Sequence, residues 1–481
     1  FFKQKTAYEL MPSLVGSEMC IRDRCIDACQ DTQHIGAIGI NGRGQNAVIG
    51  SAFDAVWEDS TCTSCGQCVS QCPTSALVGV NQYAPRALNS SLELPVISAK
   101  NTSDKSSRIF QTAQDNTVTE TTCPYCGVGC GLRVHTKGNE ILWVDGVPEN
   151  GSSAGMTCVK GRFGLDYVDS PRRLTEPMVR KNGKLTESSW DEALDLIADK
   201  FASVVSTDPT KPSETFGGIA SAKASNEDGY VMQKFVRSVM GTNSIDHCSR
   251  LCHAPSVVAL MEQIGSGATS NSYEDYDNAG TLLVVGSDTG RNHPVVGSRI
   301  RMAVEEHGAS LIVVNPIKID LCESATLHLQ PKSGTDVTLF NAIARVVLEE
   351  GLENQEFIAA RTEGFDSWRE SILAVSLEDS EEITGVPVAD IRKAAFLYAN
   401  PSPDASGNPR GSCLIWGMGV TQHTNGSDNA RALINLALSS GQVGKPGSGI
   451  SPLRGQNNVQ GCSDSGCLPN IFPGYCLLYT S

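Results

Sequence analysis

T-C-P-Y-C-G-V-G-C, residues 122–130, sets three cysteines at C-x2-C-x3-C, and Cys158 returns to them from T-C-V-K-G-R, residues 157–162. Three thiolates in one short loop, joined by a fourth from a distance, can enclose a tetrahedral metal or a cubane cluster. As disulfides, neighbours in so short a loop would compete for partners. Gly127, Gly129 and Gly131 let the backbone bend close around an inorganic core. The reading is a metal site on Cys123, Cys126, Cys130 and Cys158, with an iron–sulfur cluster preferred to zinc.

Upstream, Cys62-x2-Cys65-x2-Cys68-x3-Cys72-Pro73 matches the run of two-cluster bacterial ferredoxins, and Cys25-x3-Cys29 precedes it. In that arrangement the fourth cysteine of each run serves the other cluster. Cys29, Cys62, Cys65 and Cys68 would then share one cluster. Cys72 would join Cys25 on a second, whose first two ligands are missing; Cys20 is the nearby substitute and its spacing is wrong. One complete and one defective cluster are expected over residues 25–83, with a zinc ribbon as the alternative.

The bulk composition agrees with a compact, turn-rich enzyme of about three domains. The ten cysteines of these two groups, out of 18 in 481 residues, are spaced as ligands. That is how a reducing compartment uses cysteine, so a cytoplasmic location is expected. A net charge of −15 argues against nucleic acid or an anionic membrane as the main partner. An anionic substrate would need local Arg or Lys. No run of roughly 18 apolar residues exists to span a membrane.

Residues 1–24 have neither usable periodicity nor a signal-peptide pattern. They resemble translated sequencing-adapter read-through, as does the closing stretch 476–481. Both are expected to be non-native, and the chain a fragment. The Ser-, Asn- and Pro-rich stretch 84–116 reads as a linker, and 117–175 as a small domain around the quoted loop. Beyond it, Asn182-Gly183 marks a hairpin and Ser189-x-x-Glu192 a capping box. The helix that follows carries Trp190, Leu194, Ile197 and Phe201 on one face, expected to be core. Buried strands are expected at 216–220, 281–286, 310–315 and 412–417, and helices at 226–240, 296–307, 337–350, 388–398 and 428–438. This alternation predicts an α/β fold with doubly wound parallel sheets over 176–475, with ligands at the carboxyl ends of strands. Neither G-x-G-x-x-G nor a P-loop occurs, so no NAD or ATP site is expected in this chain.

Taken together, the chain resembles the molybdopterin oxidoreductase superfamily, and within it the catalytic alpha subunit of cytosolic formate dehydrogenases. The likeness runs from Cys25 to Tyr475. It rests on C-P-Y-C-G-V-G-C with C-V-K-G-R-F-G, on S-N-E-D-G-Y-V-M-Q-K-F, on D-H-C-S-R-L-C-H-A-P-S-V, and on W-G-M-G-V-T-Q with R-G-Q-N-N-V-Q-G. The resemblance implies a ferredoxin-like module with [4Fe-4S] clusters, a small Fe4S4 domain, and molybdopterin-binding domains. It also implies molybdenum or tungsten held by two molybdopterin guanine dinucleotides, and further chain after Tyr475.

Several site residues follow from the same resemblance. Cys252, followed by His253, stands where the family carries its metal-ligating Cys or selenocysteine; a thiolate suits such a metal. Arg454 stands where the family grips a substrate carboxylate, and a guanidinium fork fits formate bidentately. Lys160 stands between cluster and pterin. Pterin contacts are implied at Lys223, Asn226, Gly286, Asp288, Asn315, Asp336, Gly417, Gly419, Gln422 and Gln456. After the strand at 310–315 the family often has Asp and Arg; Asn315 and Ile317 stand here, so one guanosine would be read differently.

The implied reaction is formate to CO2 or its reverse. Arg454 would hold the carboxylate, while the C–H bond gives up a hydride, or a proton and two electrons. His253 would accept or relay the proton. Electrons would leave past Lys160 to the clusters and on to a partner subunit, flavin- and NAD-linked, ferredoxin or hydrogenase. The alternatives are a nitrate reductase-like enzyme, and a large iron–sulfur carrier subunit like that of respiratory NADH dehydrogenase, without a working metal.

Overall fold

The computed structural model describes residues 24–42, 48–52, 55, 59–71, 117–165, 167–168, 170, 172–207 and 215–478. Cys72, the expected linker and most of the two expected non-native ends lie outside them.

Five short apolar runs build the central sheet. In spatial order they are Leu327–Leu329, Ser310–Val314, Thr281–Val285, Ser412–Trp416 and Gly449–Pro452, all parallel. Side chains alternate across a strand, so each run feeds two cores. Leu283, Val285, Ile312, Val314, Leu414 and Trp416 face one way, against helices Ala254–Ile264, Asp336–Glu349, Val388–Ala399 and Gly426–Ser439. Leu282, Val284, Leu311, Val313, Cys413 and Ile415 face the other, against Pro294–Glu305 and the small domain. Covered on both faces, the sheet needs near-continuous apolar strands, which is the pattern the sequence carries.

The chain runs outward from Thr281–Val285 on one side and returns to Ser412–Trp416 on the other. The switch point therefore lies between these two strands, and in sheets of this kind ligands bind outside the carboxyl ends of the strands at such a point. Gly286 (φ +55°) and Gly419 meet there backbone to backbone; a Cβ on Gly286 would fall 2.9 Å from the Gly419 carbonyl carbon. Glycine is what allows both strand ends to turn at this spot.

The small domain is an antiparallel sheet of Thr117–Thr122, Gly131–Lys137 and Glu140–Gly146, with the cysteine loop between its first two strands. The N-terminal module rests on the α/β body through Ser298 Oγ, which donates to Gln33 Oε1 at 3.1 Å, and through His34 with Glu305 and Glu306 at 3.4 Å.

Residues 176–251 form a third region. Asn182 and Gly183, both at positive φ, turn the hairpin between Met178–Lys181 and Lys184–Glu187. Two expectations are corrected here. Ser189 Oγ caps Glu192 N–H, but the Glu192 carboxylate bonds Lys181 and Ser188, so the reciprocal half of the box is missing. A full capping box forms at Ser225 and Asp228. The face of helix Trp190–Thr207 expected to be core is open: Trp190 is 63% exposed, Leu194 54% and Ile197 47%. Of that face only Phe201 finds a partner, edge-on to Phe216 at 5.1 Å. Further along, strands Gly218–Ala220 and Ile245–His247 pair in parallel, and Ile219, on the first of them, is itself exposed.

Candidate functional site

Cys123 N–H donates to Cys130 O at 2.9 Å and closes the base of the cysteine loop. Cys158 sits at the N-cap of helix Val159–Phe163. All four thiols line one hollow, with Leu132, Val295 and Lys160. Burial pushes the Cys123 thiol up to about 11 and raises Cys126 and Cys130, and neighbouring thiols add to it. Four thiolates need a cationic core to coexist there. Among the described residues no three Cys, His, Asp or Glu side chains close around a single ion. Thiols spread around a hollow fit a cubane; zinc would draw them to about 2.3 Å from one centre.

The N-terminal cysteines are gathered in the same way. Burial, then the charges of Cys65, Cys29, Cys62 and Cys25, push Cys68 up to about 12. Burial likewise raises Cys29 and Cys65. The charges of Cys29, Cys62 and Cys65 thus act on Cys68, and Ala37 N–H already donates to Cys29 Sγ at 3.2 Å. The second, defective cluster rests on Cys72 and falls outside the described residues.

The cysteine loop reaches the next site directly. Gly127 N–H and His293 Nε2 both donate to the carbonyl of Arg454, at 3.1 and 2.8 Å. Beside Arg454 lies Cys252, 5% exposed, with its Sγ 3.3 Å from Met418 Sδ. Burial raises the Cys252 thiol, and the nearby guanidinium opposes the rise. Thr421 Oγ1 donates to Cys252 O and Gln422 Nε2 to Leu251 O, at 2.6 and 2.7 Å, which ties this turn to the end of strand Ser412–Trp416. Cys248, the rival thiol, is engaged with Gln456 Oε1 at 2.6 Å. Arg454 donates to Gly267 O at 2.5 Å and, among the described residues, forms no carboxylate ion pair. Its guanidinium is only partly exposed, and desolvation pulls it below the usual arginine range.

His253, expected to relay a proton, lies deep among close partners. It is fully buried; Nε2 donates to Leu453 O at 2.7 Å and Nδ1 accepts from Ser256 Oγ at 3.0 Å. Burial, then the charge of Arg454, pull its pKa down to about 3, so the ring stays neutral with both nitrogens engaged. The imidazole anchors the segment leading into Arg454.

The other expected contacts divide in two. Gly286, Asp288, Asn315, Gly417 and Gly419 follow the carboxyl ends of neighbouring strands at the switch point. Asp336 starts helix Asp336–Glu349, and burial raises its carboxyl. Burial also raises Asp288, and the Asp320 carboxylate adds to it. Lys223 and Asn226 are spent on protein. Lys223 Nζ donates to the carbonyls of Pro124 and Tyr125 at 3.1 and 2.6 Å, steadying the cysteine loop, and Asn226 Oδ1 accepts from Asn458 at 3.0 Å. Sequence reasoning missed His293, Met418 and the bond from Gly127 to Arg454. Gly127 and His293 act on a backbone oxygen and Met418 by contact alone; no spacing announces such roles.

Asp288 Oδ1 and His293 Nδ1 are buried without a hydrogen-bond partner. Each costs about 1–3 kcal/mol if left so, and a ligand carrying N–H donors would satisfy them. The residues present thus fit a pterin at the switch point and a thiolate-held metal at Cys252.

The comparisons with known proteins agree. The molybdopterin oxidoreductase pattern matches residues 173–473, its Fe4S4 domain 116–170, and a 4Fe-4S binding domain 55–78. The chain belongs to the molybdopterin oxidoreductase family, and it binds iron–sulfur clusters and a molybdopterin cofactor. It is 37% identical over 474 residues to "Probable oxidoreductase YjgC" of Bacillus subtilis (strain 168), covering 94% of this chain and 46% of that protein. It is 36% identical over 465 residues to "Putative formate dehydrogenase SAR2393" of Staphylococcus aureus (strain MRSA252), again covering 94% and 46%. The chain therefore spans about half the length of these curated relatives. Among solved structures, acetylene hydratase from Pelobacter acetylenicus shares the fold, with a TM-score of 0.59 at 22% identity over 69% of this chain and 44% of that one. Among the described residues no helix is long and apolar enough to cross a membrane.

Proposed function

We propose that the whole protein is a formate dehydrogenase and that this chain carries its cluster-binding and substrate-gripping parts. One observation carries the reading. A partly buried guanidinium, Arg454, stands beside a buried thiol, Cys252, and among the described residues no carboxylate pairs with it. Such a cation retains capacity for a small planar anion and can grip it through two parallel N–H donors. The relatives carrying the formate dehydrogenase name support the same substrate.

The net reaction, HCOO⁻ → CO2 + H⁺ + 2e⁻, conserves atoms and charge and runs in either direction. A molybdenum or tungsten atom, bound by Cys252 and two pterin guanine dinucleotides, would supply the two-electron chemistry. This chain's side chains do the rest. Arg454 orients the carboxylate. His253, neutral and buried, fixes the backbone that carries Arg454 through Leu453 O. Gly127 and His293 hold the Arg454 carbonyl from the cluster side. Lys160, on the rim of the Cys123 hollow, would supply a cation between the two centres. Asp288, Asp336 and Asn315 offer acceptors to guanine and pterin N–H groups, with Gly286, Gly417 and Gly419 giving backbone access. We assign the electrons a partner subunit and the protein a cytoplasmic location, as cysteine usage suggests.

Full-length protein loaded with cofactor should reduce a viologen dye with formate and not act on nitrate. Cys252→Ala and Arg454→Ala should each abolish most of that turnover. Unchanged formate oxidation in either variant removes that residue from the site. Absence of both Mo and W on elemental analysis of active protein would overturn the assignment as a whole.

A further inference from the structure

Arg162 stands where the two cysteine groups meet. Its side chain is 4% exposed. Nε donates to Cys65 O at 3.0 Å and Nη2 to Gln67 Oε1 at 3.0 Å; Nη1 donates to Val144 O at 3.0 Å and to Asp145 Oδ1 at 3.2 Å. Two acceptors belong to the N-terminal module and two to the small domain. A rigid fork with several donors can serve all four at once; a lysine cannot.

Contact is close on both sides of this residue. A Cβ on Gly66 (φ +71°) would fall 2.4 Å from Arg162 Cδ and 2.6 Å from Phe163 Cζ. Only glycine lets the Cys65–Cys68 loop approach so near. A Cβ on Gly161 would stand 3.4 Å from Cys123 Sγ. Gly161, whose missing side chain leaves room for Cys123, is thus the residue before the one bonded to the Cys65 carbonyl. Among the described residues the carboxylate paired with the guanidinium is Asp145, itself a third exposed and shared with His135. Cys65 and Cys68 both lie within reach of the Arg162 charge.

We propose that Arg162 is a positioning residue for electron passage between the two cysteine-bound clusters. It locks the Cys65–Cys68 loop onto the helix that begins after Cys158, and its fixed positive charge favours the reduced state of the cluster in the N-terminal module. A single electron moves, and no bond or proton moves with it. A buried guanidinium keeps its charge at any working pH, and a charge screened little by water acts strongly on an added electron beside it. The assignment rests on the clusters and not on the identity of the substrate.

The test is a reductive titration of the cluster-loaded chain followed by EPR, with hydrogen exchange at the Gln67–Ser70 amides measured in parallel. Arg162→Gln should shift the N-terminal cluster to lower potential relative to the Cys123 cluster and speed exchange at those amides. Arg162→Lys keeps the charge and loses the fork, so its potential should stay near wild type while exchange remains fast. An unchanged potential in Arg162→Gln overturns the electrostatic role, and wild-type exchange in Arg162→Lys overturns the positioning role. Should Arg162→Gln fail to retain the N-terminal cluster, Arg162→Lys decides alone. A retained cluster at wild-type potential with fast exchange supports the proposal; a lowered potential overturns it.

Discussion

Helices Asp336–Glu349 and Trp190–Thr207 carry the same kind of apolar stripe and end in opposite circumstances. The first buries Leu339, Phe340, Ile343 and Val347 against a five-stranded sheet. The second leaves Trp190, Leu194 and Ile197 open. Periodicity tells which face of a helix suits burial. Whether that face is covered is set by what packs on it, which the stripe itself does not state.

The largest test of this contrast lies in the complete sheet. Trp416 is fully buried, its Nε1 donating to Ser256 Oγ at 2.9 Å. Trp416→Ala should cost about 3–5 kcal/mol, read as a lower urea midpoint. A cost near zero would mean that the sheet is not the stable half of the molecule.

A pH experiment comes next, because each region holds a buried histidine. His293 lies on the sheet side and His247 at the end of strand Ile245–His247. Burial lowers the pKa of both below the usual value. A group lowered on folding stabilises the fold above its unfolded pKa, about 6.5, and that contribution is lost as pH falls below it. Unfolding midpoints should therefore decline on acidification from pH about 7 toward 5, and less steeply in His247→Gln. Stability that rises over that interval contradicts the burial of these rings.

The smallest expected effect sharpens the comparison most. Leu194→Ala and Ile197→Ala should each change stability by no more than about 0.5 kcal/mol, as exposed positions do. A loss of about 2 kcal/mol in either would show that the stripe is covered in solution.

Much of the fold could be read from residues alone, for a definite reason. A strand covered on both faces must be apolar throughout, so Thr281–Val285, Ser310–Val314 and Ser412–Trp416 stand out from their neighbours. Leu327–Leu329 and Gly449–Pro452 are too short to leave a pattern, and neither was expected. The cysteine ligands were equally legible, since their chemistry fixes their spacing. His253 was not. Its sequence neighbours reveal an imidazole beside a thiol, but not that Leu453 and Ser256 occupy both of its nitrogens.

The carbonyl of Arg454 receives one N–H from the cysteine loop, through Gly127, and a second from His293. The guanidinium proposed to grip a small anion and the cysteine loop are thereby fastened to a single oxygen atom. Protein starved of iron should slacken at that knot first, losing affinity for carboxylates while its parallel sheet stays intact.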